Sequence, residues 1–157
     1  MSILSLGLAD GVPGRATVAA SVGFSTIYCL VAAWGASGLA GGNAAAIGVA
    51  LAWFVIALGI WVVGFTQAAI RSAKGDEIAV ASLFFLQGSA PKQVRIRLLA
   101  ICVAVLGVTI ATLGTNPVGF LVNMLPIGFC GLWGARHGTY PERTDNRRSR
   151  SKSDRHS

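Results

Sequence analysis

The sequence has few charged residues, and none of them interrupts its two longest apolar stretches. Charged residues make up 12% of the 157 residues, about half the share found in soluble domains. Hydrophobic residues make up 54%. This composition does not fit an ordinary soluble domain, and it favours an integral membrane protein.

Residues that commonly carry chemistry are also scarce. Cys29, Cys102 and Cys130 lie in three separate apolar stretches, which excludes a C-x-x-C redox or zinc motif. His137 and His156 both lie near the carboxyl end, which excludes paired haem ligation within a membrane bundle. No Walker, nucleophile-elbow, zinc-protease or dinucleotide-binding motif is present. We therefore predict no catalytic, metal or cofactor site, and we expect a non-enzymatic protein.

Four apolar stretches predict an all-α membrane protein, a bundle of four transmembrane helices arranged as two helical hairpins. The first two exceed the roughly 20 residues that a helix needs to cross the hydrocarbon core. The fourth contains Asn123 and Pro126, and we expect Pro126 to kink it. The predicted helices span about residues 16–37, 44–70, 91–114 and 118–135.

The connections between these helices differ in length and charge. Residues 38–43 and 115–117 are short, uncharged and rich in turn formers, as expected within antiparallel hairpins. The connection between the second and third helices is longer and begins with charged residues at 71–77. Its apolar part, residues 78–90, is too short to span a bilayer and predicts an interfacial or re-entrant segment.

The charges are confined to three places. All thirteen Lys and Arg and all six Asp and Glu lie in residues 10–15, 71–97 and 136–157. Four crossings place these regions on one side, and basic residues favour the cytoplasm. We therefore predict a plasma-membrane protein with a cytoplasmic N-terminus (residues 1–15), a transmembrane domain (16–143) and a disordered basic cytoplasmic tail (144–157). A small-residue pattern near Ala40 resembles a signal-peptide cleavage site, but the preceding apolar stretch is too long for one.

Seven residues are candidates for contact with a partner or with lipid. Three are basic and begin the third helix, where their side chains reach the headgroups. The other four end the fourth helix, and they either dock this end at the membrane surface or form a partner-binding motif. These residues are Lys92, Arg95 and Arg97, followed by Trp133, Arg136, His137 and Tyr140.

Asn123 is a candidate intramembrane polar site. Its amide either bonds a neighbouring helix or lines a small polar cavity. Small residues also recur every three or four positions, so they either pack the bundle itself or form a homo-oligomer interface. They are Ser21, Ser25, Cys29 and Ala33; Ala44, Gly48 and Ala52; and Ala100, Ala104, Gly107, Ala111 and Gly114.

Two segments carry a resemblance to known proteins. They are SLFFLQGSAPKQVRIRLL at residues 82–99 and GLWGARHGTYPER at 131–143. With the hairpin between them, they resemble small integral membrane proteins of actinobacteria whose function is uncharacterised. The resemblance covers roughly residues 70–143 and implies a multi-pass membrane protein, but it transfers no catalytic residue.

These observations favour an accessory or scaffold protein whose middle connection and basic tail contact a protein partner or anionic lipid. The alternative is a small oligomeric channel or carrier for neutral or lipophilic solutes, suggested by the small residues and Asn123. A membrane enzyme would need active-site residues near Asp76 and Glu77, where a solvated loop is the simpler interpretation. We expect no nucleic-acid binding, because no aromatic residue lies among the charges of the tail.

Overall fold

The computed structural model describes residues 13–142, and within this range the chain forms five α-helices and no strand. A 3₁₀ segment leads directly into the last helix, and the two together form one span. Four spans are long and apolar enough to cross a membrane, which confirms the predicted all-α four-helix membrane bundle. The elements are α1 (Arg15–Ala36), α2 (Gly42–Ala73), α3 (Val80–Phe84), α4 (Lys92–Ala111), the 3₁₀ segment (Pro117–Asn123) and α5 (Met124–His137).

Both short connections lie at one end of the bundle, which we call the loop end. Gly41 turns the chain into α2 with a φ of +76°, a conformation that residues other than glycine rarely adopt. At the next residue, a β-carbon on Gly42 would lie 2.7 Å from the carbonyl oxygen of Trp34, so the two helices approach closely here. The turn of the second hairpin joins them, because the Asn116 amide donates to the carbonyl of Ala46 at 3.4 Å.

The middle connection and the segment after α5 meet at the opposite end. The Glu77 N–H donates to the carbonyl of Pro141 at 2.9 Å, and the Thr139 N–H donates to that of Ser89 at 3.0 Å. We call this the charged end, because every charged residue in the range 13–142 lies at or near it. The short helix α3 belongs to this end, with Leu83 packed in the core.

The last helix occupies the centre of the bundle. In its span, 72% of the residues in the most apolar stretch are buried, against 28%, 17% and 22% in the other three spans. Its glycines allow this, since a β-carbon on Gly128 would lie 2.8 Å from the Trp61 ring, and one on Gly131 would lie 2.5 Å from the Phe84 ring. A helix surrounded by protein needs less hydropathy than one facing lipid, and this span has the lowest mean hydropathy of the four, 1.6.

Pro126, where we predicted a kink, lies just after a change from 3₁₀ to α-helix. Pro126 is the third residue of α5, in the first turn, where an N–H has little or no helical partner to lose. The irregular part of the span is the 3₁₀ segment in front of it. This follows from the proline ring, which clashes with the carbonyl four residues earlier and prevents a regular α-helix through that turn.

Other boundaries also differ from the predicted ones. The second helix continues to Ala73 rather than residue 70, so Arg71 lies in its last turn. The third ends at Ala111 rather than 114. The predicted cytoplasmic N-terminus lies mostly outside the described residues, and the predicted disordered tail at 144–157 lies wholly outside them.

The recurring small residues do not form most of the contacts inside the bundle. Ser21 and Ser25 of α1 are buried, but all of those in α2 and α4 are exposed. The interpretation that these residues pack the bundle itself is therefore wrong for α2 and α4. The close helix contacts instead use Gly35, Gly42 and Ala46 between α1 and α2, together with the glycines of α5.

Candidate functional site

Arg71 is the centre of the charged end. Its Nε donates to the Asp76 carboxylate at 2.7 Å. Its Nη1 donates to the carbonyls of Ala135 and Gly138 at 3.2 and 2.9 Å, and its guanidinium lies 5.0 Å from the centre of the Tyr140 ring. One side chain from α2 therefore holds the middle connection, the end of α5 and the segment that follows. A fork of donors with fixed geometry suits this role, as it satisfies helix-end carbonyls and a carboxylate together.

Local sequence explains how the middle connection reaches Arg71. Gly75 has a φ of +112°, which a residue with a β-carbon adopts only under strain. The chain reverses there and brings Asp76 back to the last turn of α2. Asp76 and Glu142 then form an isolated antiparallel bridge, next to the hydrogen bond between Glu77 and Pro141.

Tyr140 completes this arrangement. It is half-buried beneath Arg71, and burial raises the pKa of its phenol. A tyrosine phenol ordinarily has a pKa of about 10, so the ring is neutral throughout the physiological range. Its contact with Arg71 is therefore a cation–π interaction and not an ion pair.

We call the structure held by Arg71 the docking plate; it consists of residues 71–77 and 135–142. Four of its charged side chains are exposed and carry both signs. They are Lys74, Glu77, Arg136 and Glu142. The plate therefore presents exposed charges of both signs at the charged end of the bundle.

The seven predicted contact residues do not form one surface. Lys92 and Arg95 are exposed on α4, and Arg97, five residues after Lys92 on the same helix, is partly buried. Arg136 is exposed, and it donates to the Gln67 side chain on α2 at 3.0 Å. The residues thus divide into a basic group on α4 and a group at the end of α5.

Trp133 belongs to the core and not to the surface. It is fully buried among Val18, Leu86 and Val94, and its indole N–H donates to the carbonyl of Pro13 at 3.1 Å. The ring of His137 lies 5.7 Å away. Trp133 therefore fixes the chain before α1 against α5, so a contact with an outside partner would have to use its neighbours.

The candidate polar site at Asn123 is part of a hydrogen-bonded group between helices. Its amide donates to the Thr109 hydroxyl at 3.3 Å and to the carbonyl of Phe120 at 3.1 Å. Tyr28, which the sequence analysis did not single out, is fully buried; its hydroxyl lies 3.3 Å from that of Thr109 and donates to the carbonyl of Gly119 at 3.4 Å. This group joins α1, α4 and the 3₁₀ segment.

Two cysteines that are distant in sequence face each other. The sulfur atoms of Cys102 on α4 and Cys130 on α5 are 3.9 Å apart, while Cys29 lies in another part of the bundle. Among residues 13–142, no three His, Cys, Asp or Glu side chains come close enough together to hold a metal ion.

Sequence analysis also missed Arg71. The available signal was its place as the basic residue five positions before Asp76, at the end of an uncharged helix.

Comparison of the chain with family models, with curated proteins and with solved structures finds no match.

Proposed function

We propose that this multi-pass membrane protein is a non-enzymatic accessory or scaffold protein, which presents the docking plate to a protein partner on the cytoplasmic side of the plasma membrane. The observation that carries the proposal is the fixed geometry of the plate around Arg71. A surface that is ordered before binding loses little conformational entropy when a partner binds.

The charges of the plate support a protein partner with charges of both signs. Lys74 and Arg136 are exposed beside the exposed acids Glu77 and Glu142. A surface of mixed sign selects a partner through the positions of its charges, whereas a purely basic surface would attract any anionic membrane or polymer. Complementary charges also speed up association.

Site-specific crosslinking in native membranes tests this proposal. A photo-crosslinking residue replaces Lys74 or Arg136 on the plate, and a matched control replaces Leu39, which is 64% exposed at the loop end. We expect one adduct of defined mass from both plate positions and none from Leu39. Failure to recover a stoichiometric partner from either plate position would contradict the proposal.

A second variant separates the geometry of the plate from its charge. Arg71→Gln removes the bonds that hold the plate, but it leaves Lys74 and Arg136 in place. We expect the adduct yield to fall several-fold while circular dichroism shows unchanged helix content. An undiminished yield would show that the partner does not need the fixed plate.

The alternative, a channel or carrier, requires a different arrangement of the chain. Because α5 fills the centre of one copy, a passage would have to form between copies. Solute flux into liposomes that contain the purified oligomer would favour this alternative, and Asn123→Leu should then reduce the flux.

A further inference from the structure

A groove with apolar walls runs along the outside of the bundle between α1 and α4. It consists of two adjoining cavities of about 240 and 220 Å³, which share Val22 and Ile101. The cavity nearer the charged end also contacts Arg97 and Ala100, and the farther one continues past Ala104. The groove is therefore open to the lipid along its length and reaches a basic side chain at one end.

A second cavity lies on the other side of α4. Its volume is about 430 Å³, and it is lined by Lys92, Arg95, Ile96, Leu99, Ala100 and Val103. Ala100 borders both this cavity and the groove. With Ala104 and Gly107, which are also exposed, it forms a low ridge between two apolar hollows. Both hollows have basic side chains toward the charged end.

Arg97 places a buried guanidinium nitrogen beside the groove. Its Nη1 is buried and forms no hydrogen bond within residues 13–142. In the same range, no carboxylate pairs with Arg97, Arg95 or Lys92. Arg97 lies five residues into α4, or about 7.5 Å along the axis from the start of a span that is long and apolar enough to cross a membrane. A buried donor without an acceptor is costly at that depth, and an anionic oxygen would satisfy it.

We propose that α4 and the groove bind one anionic phospholipid. Its phosphate accepts from Arg97, with Arg95 and Lys92 adding attraction, and its two acyl chains lie on either side of the ridge at Ala100. A helix from a second copy is a poorer occupant, because none of the four apolar spans carries an Asp or Glu that could accept from Arg97 inside the groove. The site does not depend on the docking plate, which uses α2 and the end of α5.

Native mass spectrometry tests the proposal with the full-length chain in mild detergent. The probes are phosphatidylglycerol and phosphatidylcholine with identical chains, added in equal amounts. We expect one bound phosphatidylglycerol, preferred about tenfold over phosphatidylcholine, because only phosphatidylglycerol carries a net negative charge. Arg97→Gln should reduce the preference to about twofold or less. The matched control Lys74→Gln, which removes an exposed cation from the same end but not from α4, should retain it.

A second variant tests the groove without changing any charge. Ala100→Phe raises the ridge between the two hollows, and it should abolish lipid retention while circular dichroism shows unchanged helix content. This variant decides the matter if Arg97→Gln does not fold. An undiminished preference in Arg97→Gln, or an equal loss in Lys74→Gln, would overturn the site. Two other results would also overturn the site. One is complete displacement of the lipid by millimolar inorganic phosphate. The other is a wild-type protein that shows no lipid preference but forms a dimer, which dissociates in Ala100→Phe.

Discussion

Gly134 lies where α5 passes closest to the backbone of the middle connection. A β-carbon there would lie 2.6 Å from the carbonyl oxygen of Leu83 and 3.3 Å from Leu86. Ordinary contact begins at 3.4 Å, so Gly134→Ala requires a shift of roughly 0.8 Å between two backbone segments. Because the obstacle is a backbone carbonyl, no change of side-chain rotamer can relieve it.

The size of the effect follows from two opposing contributions. Overpacking of this kind costs about 1–3 kcal/mol, and alanine regains up to about 1 kcal/mol of helix propensity over glycine. We therefore expect Gly134→Ala to lower the free energy of unfolding by about 1–2 kcal/mol. Gly107→Ala is the matched control, because a β-carbon at this position of α4 meets nothing within 4 Å.

Reversible unfolding in mixed micelles, followed by circular dichroism, measures both variants. Gly107→Ala should leave the stability unchanged or raise it by up to about 1 kcal/mol. If Gly134→Ala proves as stable as Gly107→Ala, the packing of α5 against the middle connection is wrong.

Three further predictions concern individual contacts. Arg71→Lys keeps the charge but loses the forked hydrogen bonds to the helix-end carbonyls, so the free energy of unfolding in the same assay should fall by about 2 kcal/mol. An unchanged free energy of unfolding would refute the bridging role of Arg71. Trp133→Phe removes the N–H that binds the carbonyl of Pro13 and should cost about 1 kcal/mol in that assay, whereas no cost would place the ring outside the core. Copper phenanthroline should link Cys102 to Cys130 and leave Cys29 free, with two Cu(II) ions accepting one electron each and the two thiol protons passing to solvent. Peptide mass spectrometry can check the linkage, and a disulfide that includes Cys29 would contradict the packing of α4 on α5.

The spans could be predicted from sequence because lipid imposes a strong requirement. A helix facing hydrocarbon must be apolar over some 20 residues, and α2 satisfies this without a charge before Arg71. The grouping of the charged residues at one end of the bundle could also be predicted, because four crossings place the three charged regions of the sequence on the same side.

The faces of the helices could not be predicted in the same way. In lipid, both the buried and the exposed sides of a helix are apolar, so hydropathy does not separate the exposed Ala104 from the buried Val105. The glycines of α5 illustrate the difficulty, since the role of Gly131 becomes visible only when the ring of Phe84 is beside it. The same holds for Trp133, which lies near the end of a span but inside the bundle.

The site was predicted only in part for a related reason. The basic residues on α4 were recognisable from their position before an apolar stretch. Arg71 was not, because its role depends on Gly138 and Tyr140, which lie almost seventy residues later in the chain and meet it only after α5 has packed.

Labelling of one introduced cysteine at a time by a membrane-impermeant maleimide tests the central claim most directly. Leu39→Cys lies at the loop end and Lys74→Cys at the charged end, and the wild-type chain is the blank, since its three cysteines lie within apolar spans. In intact cells we expect labelling of Leu39→Cys alone, and of Lys74→Cys only after the membrane is opened. Labelling of Lys74→Cys in intact cells would contradict a charged end that faces the cytoplasm.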